Sequence, residues 1–178
     1  MKALAQHPLS AAFPAMSADE YQSLKDSINE IGVQNPITLF EGMVIDGWHR
    51  YSAANELGME CPTVELGDVD PRDFVLAQNK ARRHVTQAQL ALATTAVYSW
   101  FPIDGSAQKQ GVALSATPLK SNAELAEISG VGERSIRQAK AVQTKAAPEV
   151  VEAVKRGEIG LPKAAAIAKM PKEEQAAA

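Results

Sequence analysis

The run Met43-Val44-Ile45-Asp46-Gly47 passes straight into Trp48-His49-Arg50-Tyr51-Ser52-Ala53-Ala54, so an apolar strand signal has to become a helix across a single glycine. Only a tight strand-to-helix corner satisfies both halves of that pattern. The corner also has the chemistry of an anion site. The first N–H groups of a helix carry partial positive charge, a glycine lets a phosphate approach the backbone, and an arginine can grip it with two parallel hydrogen bonds. An ordinary corner with a solvated arginine has the same local pattern, so the remainder of the chain has to decide.

Around the corner the sequence predicts short elements of both kinds. Ser17-Ala18-Asp19-Glu20 reads as a capping box, and Tyr21, Leu24, Ile28 and Ile31 follow at helical spacing until Gly32. Ile37-Thr38-Leu39-Phe40 and Met43-Val44-Ile45 flank the turn Glu41-Gly42, as in a hairpin. The helix from His49 stops at Gly58, and Cys61 to Leu66 is a further strand candidate. Asp70-Pro71 opens a helix carrying Phe74, Val75 and Leu76, and Thr86 caps another from Gln87 to about Trp100. Few strands and no strand-helix-strand repetition exclude a doubly wound sheet and point to a small α+β domain over residues 1–101.

Residues 102–120 hold Pro, Gly, Ser, Gln and Lys without a period and are expected to be a linker. Beyond them, over residues 121–178, the pattern is helical throughout. Ser121 caps the first helix, Ser129-Gly130-Val131-Gly132 turns, and Glu133 to Ala146 forms the second. Pro148 and Leu161-Pro162 open two more, the last running out near Met170-Pro171. The terminal Gln175-Ala176-Ala177-Ala178 carries no stop signal, so the natural protein is expected to continue.

Apolar and charged fractions of 46% and 22% are those of a globular chain, which excludes global disorder. No apolar run reaches membrane-spanning length and the first residues lack a signal-peptide core, so a cytoplasmic protein without a membrane partner is expected. The single cysteine, Cys61, excludes a disulfide framework, and no pair of His or Cys has zinc-ligand spacing. The net charge of −3 argues against nucleic acid only until the chain is divided. Residues 1–100 carry 7 Lys and Arg against 12 Asp and Glu, or −5, whereas residues 121–170 carry 8 against 6, or +2. The polyanion-facing part is therefore the helical one.

Leu125 to Ile136 has the layout of a DNA-binding helix-turn-helix. Ala126 is small where two helices cross, Gly130 permits a left-handed turn, and Val131 and Ile136 pin the second helix to the first. That helix offers Arg134, Ser135, Arg137, Gln138 and Lys140 to base edges and phosphates of double-stranded DNA. A plain helical hairpin with a charged face is the alternative. One such module makes few phosphate contacts, so a homo-oligomer or a second anchor is expected.

With both parts read, the chain resembles the ParB and sulfiredoxin superfamily, in the order of the amino-terminal and central regions of ParB-type partition proteins. Ile31-Gly32-Val33-Gln34-Asn35-Pro36-Ile37-Thr38-Leu39 is similar to the family's helix end and Gln-x-Pro-Ile strand, and Gly47-Trp48-His49-Arg50-Tyr51-Ser52-Ala53-Ala54 to its Gly-x-x-Arg-x-x-Ala-Ala box. Gln78-Asn79-Lys80-Ala81-Arg82 resembles its Glu-Asn-x-x-Arg motif. The resemblance implies a ParB/sulfiredoxin-like α+β domain followed by an all-α helix-turn-helix domain. It further implies a nucleoside triphosphate, CTP first, held with magnesium by Gly47, His49, Arg50, Asn79 and Arg82, with Asn79 beside the metal, gating DNA binding or self-association. A plasmid or other mobile-element setting and a partner ATPase come with it.

Three departures narrow the chemistry. Trp48 stands where sulfiredoxins carry their catalytic cysteine, which excludes sulfinic acid reduction. Gln78 replaces a glutamate; a neutral amide is a weaker magnesium partner and no general base, which argues against hydrolysis. His49 replaces one of two adjacent arginines and removes a charge near neutral pH. No catalytic residue is assigned; a DNA nuclease or nucleotide hydrolase on this fold, and a regulator that ignores nucleotides, stay open as alternatives.

Overall fold

Glu41 and Gly42 both take positive φ, 52° and 72°, the geometry that reverses a chain in two residues while matching the twist of the strands it joins. In the computed structural model they connect β1 (Ile37–Phe40) to β2 (Met43–Asp46) in an antiparallel pair whose register shifts between Thr38 and Leu39. The structure describes residues 3–80, 85–100 and 120–175. A third strand, β3 (Thr63–Glu65), pairs parallel to β1, giving the order β2-β1-β3. It is shorter than the predicted Cys61 to Leu66, although the hydrogen bonds Ile37 N–H to Pro62 C=O (2.8 Å) and Leu66 N–H to Leu39 C=O (2.9 Å) extend the pairing at both ends.

The chain forms two compact units. Among the described residues the first holds 3–11 and 15–75, the second 12–14, 76–80, 85–100 and 120–175. In the first unit, α1 (Pro8–Ala11) sits against β2, α2 (Ala18–Ile31) against α3 (Trp48–Glu56), and Ile37, Phe40, Val44, Ile45, Ala53 and Ala54 are buried. The capping box at Ser17 is present, with both reciprocal bonds to Glu20. Residues before α1 add a further backbone contact to the sheet: His7 N–H donates to Val44 C=O and Val44 N–H to Ala5 C=O, both at 2.9 Å. Ile31, placed by its spacing on the apolar stripe of α2, is 59% exposed, because only Ile28 of that helix reaches the core.

The division between units falls inside α4 (Pro71–Lys80), not after residue 101 as the sequence predicts. The reason is α5 (Gln87–Ser99). Leu90 to Thr95 are all buried, so the helix is apolar around most of its circumference and needs partners on several sides. It finds them in α6 (Asn122–Ser129), α7 (Glu133–Lys145) and α8 (Pro148–Lys155), and α9 (Leu161–Ile167) closes the group against α7 and α8. Thr94 and Thr95 reconcile their hydroxyls with burial by donating to Leu90 C=O (2.7 Å) and Leu92 C=O (2.8 Å). A last turn, α10 (Lys172–Gln175), follows Pro171. The predicted linker, apart from Lys120, lies outside the described residues. Among the described residues no helix is long and apolar enough to cross a membrane.

Candidate functional site

In the first unit, β2 turns into α3 at Gly47, which takes the left-handed conformation (φ 88°, ψ 22°) as the helix N-cap. Glycine is required twice over. A Cβ there would lie 2.7 Å from Arg50 Nη2 and 2.8 Å from Ile37 Cγ2, and the backbone angle itself disfavours any other residue. The close approach that glycine permits is thus taken by the protein's own arginine. Arg50 Nη2 donates to Asp46 Oδ2 (3.0 Å) and to Pro36 C=O (3.1 Å), with the two side chains 29% and 17% exposed. Its Nε is buried and has no hydrogen-bond partner. Burial pushes the Cys61 thiol up, partly offset by the charge of Arg50.

His49 is engaged as well. Its Nε2 accepts from Met16 N–H at 3.3 Å, and its ring meets Tyr21 edge-on at 6.2 Å between centroids. Tyr21 in turn donates to Glu56 Oε1 (2.8 Å), and burial together with that carboxylate pushes its hydroxyl up to about 12. Trp48 packs against Tyr51 (5.7 Å), so its ring lies among the helix's own aromatics. The corner is therefore of the right kind for an anion, but its cation is already neutralised by Asp46. Of the second group of predicted nucleotide residues, Asn79 is 6% exposed near the end of α4 in the second unit, Gln78 beside it is exposed, and Arg82 lies outside the described residues. Among the described residues no three His, Cys, Asp or Glu side chains group to hold a metal.

The helical unit presents the other candidate. Ser121 caps α6 in a full capping box with Glu124, and Gly130 ends that helix in the left-handed region (φ 76°, ψ 17°). Gly132 N-caps α7, and Val131 and Ile136 are 4% and 0% exposed. Successive helical residues turn by about 100°, so buried Ile136, Ala139 and Val142 define one face and Arg134, Arg137 and Gln138 lie on the other. Arg134 and Arg137 are exposed; Ser135, Gln138 and Lys140 are half-buried, and of the five predicted DNA residues only Arg134, Arg137 and Gln138 share one open groove. Arg137 is paired with Glu133 at 3.0 Å on the surface.

Long side chains that sequence reasoning passed over hold this unit in shape. Lys80 Nζ donates to Ile128 C=O (2.9 Å) at the end of α6, and Gln89 Nε2 to Lys155 C=O (2.7 Å) at the end of α8. Gln143 Nε2 donates to Leu92 C=O (3.0 Å), tying α7 to α5. Each pairs residues about fifty or more apart, a relation that no local pattern signals.

No protein-family model matches the sequence, and no curated protein matches it significantly. Among solved structures, a Pnob8-like ParB-N domain superposes with a TM-score of 0.55 at 17% identity, covering 93% of this chain and 76% of that one. Two structures of the C-terminally truncated chromosome-partitioning protein ParB from Caulobacter crescentus align more loosely. One, complexed to the centromeric parS site, has 17% identity and a TM-score of 0.41, covering 92% of this chain and 79% of its own. The other, with CTP-γ-S, has 19% identity and a TM-score of 0.37, covering 98% and 93%. The first likeness shows the fold, an α+β ParB-N arrangement continuing into helices, as the motifs implied.

Proposed function

We propose that this chain is a DNA-binding protein of ParB-like fold in which α7 reads duplex DNA. One observation carries the reading. Arg134, Arg137 and Gln138 stand together on the open face of a helix whose opposite face is locked into a core, directly after the Gly130 turn. A rigid helix bearing arginines and an amide near its N-terminal end has the shape and donors that major-groove edges require. Ser135 and Lys140 stand to either side as further contacts.

The finer part of the proposal gives the first unit a nucleoside triphosphate, CTP first, with magnesium, which gates DNA binding or self-association. Gly47, His49 and Arg50 are the residues of this unit proposed to hold it. The buried, unpartnered Nε of Arg50 at a helix start supports an anion there. The existing Arg50–Asp46 and His49–Met16 contacts set its limit: a phosphate has to compete with them, so affinity is modest.

Gel-shift titration of the full chain on genomic fragments, with and without CTP, ATP or GTP and magnesium, tests both parts. Retarded DNA supports the first, and a nucleotide-dependent change in the titration midpoint supports the second. Retardation that no nucleotide alters, with no heat in calorimetry, removes the gating and leaves DNA binding; no retardation on any fragment removes the proposal.

A further inference from the structure

Alongside α7 runs a groove of about 360 Å³ whose second wall is α9 and the turn after it. Arg134, Arg137 and Lys145 line it from α7, and Lys169 from the far side. Among the described residues that line it there is no carboxylate, in a chain whose net charge is −3. The floor is small, formed by Pro162 and alanines such as Ala141 and Ala165, so a guest can approach both helix backbones closely.

We propose that this groove seats one strand of the DNA sugar-phosphate backbone, with Lys145 and Lys169 as phosphate contacts that set the position of α7 without reading sequence. The inference rests on the DNA-binding reading of α7 above. A helix lying in the major groove necessarily has phosphates beside it, and this cationic wall continues from the same face that carries Gln138. Arg134 to Lys145 spans about 16 Å along the helix, room for several phosphates of one strand. Lysine is a mobile point charge suited to a phosphate rather than to a base edge. The Arg137–Glu133 pair is exposed, so releasing Arg137 to an acceptor on DNA costs little. An acidic protein segment is the competing guest, but alanines and a proline provide no deep pocket for an anchoring side chain.

Fluorescence anisotropy of the full chain with a random-sequence duplex across a salt series tests this. The double variant Lys145→Ala/Lys169→Ala is compared with Lys163→Ala, an exposed lysine on α9 that does not line the groove. The double variant is expected to bind about 3- to 10-fold more weakly and to lower the log-log salt slope by about one to two, while Lys163→Ala leaves the slope unchanged. Equal affinity and slope in the two variants, with wild type binding DNA, overturns the groove assignment alone. Wild type that binds no duplex overturns the DNA reading itself. Poly-glutamate that binds wild type at concentrations where duplex does not, and loses affinity in the double variant, assigns the groove to an acidic protein and overturns the proposal.

Discussion

Gly47 and Gly130 share a left-handed backbone and differ in what surrounds them. At Gly130 an added Cβ would meet, among the described residues, the end of the Lys80 side chain, Cε at 3.6 Å and Nζ at 3.7 Å, ordinary contact, so Gly130→Ala is expected to cost about 1–2 kcal/mol of conformational strain alone. At Gly47 the same strain is joined by approaches of 2.7 and 2.8 Å to Arg50 and Ile37, and Gly47→Ala is expected to cost about 2–4 kcal/mol. Urea unfolding of the two variants reads the difference; equal costs would contradict the crowding at the corner. His7 makes a second prediction. It is fully buried, its Nδ1 accepts from Leu9 N–H at 3.2 Å, and burial holds its pKa below the ordinary 6.5 against the opposing pull of Glu41. The unfolded chain therefore binds the proton more readily, and stability falls as pH drops below about 6.5. Thermal unfolding is expected to show that fall between pH 7 and 5.5 and a shallower one in His7→Gln; parallel curves would contradict it.

At the scale of elements, Gln175 fastens α10 to the junction of α7 and α8. Its buried amide accepts from Ala147 N–H (2.6 Å) and donates to Met170 C=O (2.8 Å) and Lys145 C=O (3.3 Å). Gln175→Ala is expected to cost about 2 kcal/mol in denaturant unfolding, because it strands buried backbone groups, and a change below about 0.5 kcal/mol would contradict the fastening. This contact was not legible in the sequence, whereas the caps were. Ser17, Thr86 and Ser121 each begin a helix with reciprocal bonds to the residue three places on, because capping is a local interaction that residue type and spacing determine. The Glu41-Gly42 turn and the Gly47 corner were legible for the same reason. What failed was partnership. The apolar run Leu90 to Thr95 announces a buried helix but not which elements bury it, and those lie beyond residue 119. Arg50 illustrates the limit at the site: a helix-start arginine reads as a free anion grip, but Asp46, four residues earlier, takes it.

For the whole molecule, the α+β fold and its continuation into helices are shared with a solved ParB-N domain over 93% of the chain. The first unit has a corner whose cation is already paired; the second has an open cationic helix face. The order of those elements was legible because their motifs are short and local, while the boundary inside α4 depends on contacts formed across the chain. Above all, we propose that α7 reads duplex DNA. Its most direct test is selection from a random duplex library by the full chain, beside Arg134→Ala and Gln138→Ala. Wild type is expected to enrich a defined sequence, and each variant to relax discrimination at particular base pairs by about 1–3 kcal/mol. A wild-type protein that enriches nothing, or variants that enrich the same sequence with undiminished discrimination, would contradict it.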